Sequence, residues 1–229
     1  TLLDGPEDQP ALDELAHALA FWAARARSVP PSAGPAGGLE PLAALDAMAR
    51  IPSQQGNLAA RFGQLTEDSG WPAAVAALRP AATPAQVQTR LADLVTAATL
   101  RYLSHGHGQP VLLVHTATAP NAVLHALPAL PLELWVPSLT AVWAASAAIF
   151  AAYAPPGTLP PGTVPPAPPP ALPDGPAAVA EVLDRAVGHG DEHVIKFTDT
   201  AAEVYTRTGS VGALAAALRA GELIPGPRR

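Results

Sequence analysis

Cysteine is absent from this chain of 229 residues. That absence removes disulfides, thiolate-bound zinc, iron–sulfur clusters and cysteine nucleophiles, so any metal has to be held by nitrogen and oxygen donors. Charge is scarce too: Asp, Glu, Lys and Arg make up 14% of the chain, against about a quarter in an average soluble domain. The net charge is −6 and the arginines are scattered, which leaves no cationic stripe for a nucleic acid. No G-x-G-x-x-G follows a strand, and "GPAGG" (34–38) sits in a proline-rich loop, so neither a flavin nor a nicotinamide cofactor is expected. No segment sustains the alternation of β-branched residues that marks a strand. The opening "TLLDGPEDQP" is acidic and has no apolar core, unlike a secretory signal, which points to a cytoplasmic protein. It also lacks an initiator methionine, so the chain is expected to be the C-terminal part of a longer fold.

What fills the chain instead is alanine, leucine and proline, with 49% hydrophobic residues overall. The apolar spacing is helical almost throughout, and the expected class is all-α: one bundle-like helical domain over 1–229 with a long proline-rich loop. In "ALDELAHALAFWAARARS" Leu12, Leu15, Leu19 and Trp22 recur at three and four residues, predicting a helix over 11–27. The segment 28–38 reads as a loop and 39–50 as a short helix stopped by Pro52. Thr83 as N-cap and Pro84 at the first helical position open a helix over 84–103 with the stripe Val87, Leu91, Leu94 and Val95. The run after Pro110, "VLLVHTATAPNAVLHALPALP", starts as a buried strand or helix and favours helix beyond, interrupted near Pro120. Residues 134–153 carry no charge over about the length of a membrane span. Pro137 and the many small residues favour a buried helix over 138–153, and no membrane partner is expected. In 154–176 nearly every second residue is proline, which predicts an extended connector, irregular near 155–175. The stretch 177–209 reads as one long helix or two abutting ones, weakest at Gly188 and Gly190, with a helix over 191–207. Ser210 caps a last helix.

The chemistry has to come from histidine, carboxylate and lysine. His17 lies on an amphipathic helix among alanines and reads as a surface residue. His105 and His107 lie in a glycine loop, "SHGHG", and read as a solvated turn. His125 reads as structural. His115 differs, because it interrupts an apolar segment that should be buried. A buried imidazole needs partners on both nitrogens: either a metal, or a threonine such as Thr116 or Thr118. In "GHGDEHVIKF" (188–197), a continuous helix would put His189, His193 and Lys196 at i, i+4 and i+7 on one stripe. Two imidazoles one turn apart on a helix can chelate a metal. Lys196 either pairs outward with Glu192, or is desolvated, loses its charge and adds carbon dioxide to become an anionic carbamate ligand.

Three of these segments resemble one family. "HGDEHVIKFTDT" together with "LVHTATAPNAVLHALPALP" is similar to the questin oxidase-like family, and "DELAHALAFWAAR" resembles one of its helices. The resemblance implies oxidative, Baeyer–Villiger-type ring cleavage of anthraquinone-type polyketides. It implies an all-helical fold and a non-haem iron held by histidines and a carboxylated lysine. Carried to this chain, it makes Lys196 the carboxylated ligand and His193, His189 and His115 the imidazole ligands. The family's upstream histidines have no counterpart here. A sulfur-free nitrogen and oxygen site suits iron, manganese, zinc or cobalt, and with the resemblance the expectation is Fe(II) with dioxygen and a small aromatic substrate. The flat substrate is expected among Trp135, Trp143, Phe150 and Tyr153, with Trp143 and Tyr153 foremost. Two other readings stand beside the oxygenase: a metal-dependent hydrolase using a carbamylated lysine, and a non-catalytic helical protein.

Overall fold

The structure, a computed structural model, describes residues 9–25, 29–30, 32–155, 172–173 and 175–227. Most of the proline tract, including 156–171, lies outside the described residues, and so do parts of the 28–38 loop. The fold is all-α. Ten α-helices follow in order among the described residues: α1 Gln9–Arg25, α2 Pro41–Asp46, α3 Leu58–Glu67, α4 Trp71–Ala76, α5 Pro84–His105, α6 Pro110–Ala126, α7 Trp135–Tyr153, α8 Pro176–His189, α9 Glu192–Thr208 and α10 Val211–Leu223. No sheet forms among them, and a single parallel bridge joins Leu39 to Leu78.

The stripe on α5 is fully buried, with Val87, Leu91, Leu94 and Val95 all at zero exposure. Thr83 caps the helix by accepting from the Gln86 N–H at 3.3 Å. Helix α6 lies against α5, α7 and α9. It runs unbroken through Pro120, against the expected interruption. Proline has no N–H for the Thr116 carbonyl four residues back. The Ser146 hydroxyl of α7 donates to that same carbonyl at 3.3 Å, so the gap in the ladder is filled from the neighbouring helix. Helix α7 likewise starts at Trp135, ahead of Pro137. The first N–H groups of a helix have no internal acceptor, so proline at the third position costs no hydrogen bond. It is long and apolar enough to cross a membrane, and here it is the core helix: Trp143, Ala147 and Ala151 have no exposed surface.

Other boundaries are narrower than expected. The 39–50 helix is confined to Pro41–Asp46, and the apolar stripe of α1 (Leu12, Leu15, Leu19, Trp22) is exposed. Between α8 and α9 the backbone turns at Gly190, whose φ of 82° is left-handed, and Asp191 then caps α9 by accepting from the N–H groups of His193 and Val194. Left-handed conformation favours glycine, so this residue ends one helix before the next begins.

Candidate metal centre

That break redistributes the polar stretch. His189 ends α8 while His193 and Lys196 ride on α9, so the stripe expected from a continuous helix does not form. The His189 ring turns toward the C-terminal end of α10, where its Nε2–H donates to the Ile224 carbonyl at 2.9 Å. It lines a cavity between α8, α9 and α10. His115 and Lys196 line a separate cleft on the other side of α9.

The cleft lies between α6 and α9 and encloses about 540 Å³. From α6 come His115, Thr118, Asn121 and His125, and from α9 come Lys196, Asp199, Thr200 and Glu203. Both sets follow helical spacing, so each helix turns these polar residues to the other, with Ala119 and Ala122 between them on α6. At one end the His115 ring stands edge-on to the His193 ring, with centroids 5.5 Å apart and planes at 88°. No described residue hydrogen-bonds either nitrogen of His115. The threonine partner considered from sequence is not used: the Thr116 hydroxyl donates to Leu113 at 2.7 Å. Burial first, then the nearby Lys196 and His193, push the His115 imidazole down to about 4, so the ring is neutral and keeps a lone pair at physiological pH.

His193 is held from behind. Its Nδ1 faces Asp191 Oδ1 at 3.3 Å and Glu192 Oε1 at 3.5 Å. A carboxylate can only accept, so Nδ1 carries a proton, and in the neutral ring Nε2 is the atom left to bind a metal. Carboxylates commonly fix ligating histidines in this way. Asp191, Glu192 and His193 bring their donor atoms within 4.8 Å of one another. The Asp191 carboxylate is already engaged by two N–H groups of the α9 cap, and these hold its pKa below the usual value although burial acts the other way. Lys196 is half-buried and forms no ion pair with Glu192 or any other described carboxylate. Burial lowers its pKa, opposed by Glu192 and Asp191.

The far end of the cleft was missed from sequence. His125 Nε2 meets both oxygens of Glu203, at 2.8 and 3.0 Å. The Asn121 amide donates to Glu203 at 3.2 Å. Asp199, one turn earlier, has its carboxyl pKa raised by burial and then by Glu203. Carboxylates at i and i+4 continuing the Lys196 face, and two histidines ten residues apart on α6, were the available signals.

The expected aromatic pocket is not there. Trp143 is wholly buried and donates to the Val75 carbonyl at 2.8 Å, and Tyr153 is 5% exposed beneath the Arg61 guanidinium. Both are core residues and line neither the cleft nor the His189 cavity, as do Trp135 and Phe150. His17 and His107 are exposed. His105 packs on Phe150 and bonds Ser104. Comparison with protein-family models, with curated proteins and with solved structures finds no match.

Proposed function

We propose that the cleft between α6 and α9 is the metal centre of a non-haem iron oxygenase that cleaves a hydroxylated aromatic ring of the anthraquinone polyketide type. The single observation that carries this reading is the His115–His193 pair: two imidazoles with ring centroids 5.5 Å apart, one with no partner on either nitrogen among the described residues and the other held by Asp191. The donor set fits a sulfur-free iron site. His115 and His193 would hold the ion, with Lys196 supplying the negative charge. In its neutral form the Lys196 amine would form an N–C bond to carbon dioxide and release one proton, leaving a carbamate. Burial lowers the Lys196 pKa, which favours that form. His189, turned to the Ile224 carbonyl, is left out of the set.

When bound, iron(II) supplies the electrons that let dioxygen attack an aromatic ring. The chain's own residues orient and deprotonate the substrate. The cleft, about 540 Å³ in volume, has room for a flat ring system, and its far end offers acceptors. A phenolic hydroxyl seated there meets His125, which takes the proton while Glu203 stabilises the resulting imidazolium. The test is oxygen uptake by the iron-loaded full chain with a hydroxyanthraquinone. Uptake that depends on substrate and falls to background in His115→Ala supports the reading. Uptake absent from the iron-loaded wild type, or unchanged in the variant, overturns it.

A further inference from the structure

The cavity on the opposite side of α9 is independent of the metal reading. It holds about 270 Å³ between α8, α9 and α10. Its walls are Val182 and Ala186 of α8, Val194 of α9 and Ala217 of α10, each no more than 3% exposed. An apolar cavity of roughly 150 Å³ admits benzene, so this one has room for a single ring with a substituent.

Two buried or half-buried polar groups, His189 and Thr198, interrupt the apolar lining. His189 donates through Nε2–H to the Ile224 carbonyl, so in the neutral ring Nδ1 bears the lone pair. That Nδ1 is buried and has no hydrogen-bond partner. The Thr198 hydroxyl lines the same cavity without reaching it. A buried acceptor left unmade is costly and is recovered by any donor that arrives. The charges at the rim are already paired, Arg185 with Glu181 at 2.8 Å and Glu222 with Arg219 at 2.6 Å. Nothing inside calls for a charged ligand. We infer that this cavity binds a small neutral molecule, largely apolar, that directs one hydroxyl or N–H at His189 Nδ1.

Gly221 of α10 gives the means to test it. A Cβ built there would stand 3.9 Å from Val194 and 4.0 Å from His189, ordinary contact distances, so a larger side chain enters the cavity without moving the backbone. Glycine inside a helix is also the weaker helix former, so Gly221→Leu keeps the fold. The experiment titrates the full chain with phenol and, separately, with toluene, which has nearly the same shape and no donor. Phenol is expected to bind saturably, one per chain, and toluene about tenfold more weakly. Gly221→Leu should abolish phenol binding with the melting temperature unchanged or raised. His189→Phe should equalise the two ligands, and His115→Ala should leave phenol binding intact. Absence of saturable phenol binding, equal affinity for toluene in the wild type, or binding that survives Gly221→Leu each overturns the inference. None of these results depends on iron.

Discussion

His115 shows how one residue couples the cleft to stability. Its imidazole protonates near 6.5 in the unfolded chain and near 4 in the folded one, because burial and the neighbouring Lys196 and His193 oppose the charge. Between those values the unfolded state binds the extra proton, so folding stability is fully present above about 6.5 and is lost as pH falls toward about 4. Urea midpoints measured across that window should drop more steeply for wild type than for His115→Gln. Parallel curves would show that the ring does not face a charge-excluding environment. The singularity of this histidine was legible in sequence, since it interrupts an apolar run. Which partner it takes was not legible, because that depends on the side chains α9 brings up to it. Asp199 and Glu203 look like surface residues of an amphipathic helix until α6 is seen to face them.

At the scale of elements, helix ends were the least readable feature and the most consequential. The spacing of His189, His193 and Lys196 is correct for one helix, but the left-handed Gly190 splits it and sends His189 to another cavity. Glycine was visible as the weak point, yet sequence alone does not say whether a glycine is a tolerated interior residue or a cap. Asp191 then serves two purposes, capping α9 and holding the His193 ring. Asp191→Ala should cost about 1 kcal/mol of stability and weaken metal binding about 10–100-fold. Asp191→Ser should restore the cap and not the metal affinity; if it restores both, Asp191 acts on His193 only through the helix. Pro120 tests the reading of α6. Ser146→Ala strands the Thr116 carbonyl and should cost about 1 kcal/mol. In a Pro120→Ala background, where the helix supplies its own donor, the same change should cost clearly less, and equal costs in both backgrounds would contradict the repair.

For the whole molecule, the helical class and the buried face of α5 followed directly from periodicity, because a 3.6-residue stripe has to be covered by something. Helices α3 and α4 are not among the elements expected from the sequence. The aromatic residues, expected from the sequence around a substrate, belong to the core, where Trp143 joins α7 to α4 through the Val75 carbonyl. Their size satisfies both roles, and only the packing separates them. The arrangement is global: α9 lies between two chambers, one lined by His115 and Lys196 with the His193 ring against His115, the other by His189. The most direct test of the metal centre is the iron content of the full chain loaded with Fe(II) in the presence of bicarbonate. The account predicts close to one equivalent in the wild type and in His189→Ala, and none in Lys196→Ala whether or not bicarbonate is added. An iron-free wild type, or a Lys196→Ala variant that holds as much iron as the wild type, would contradict it.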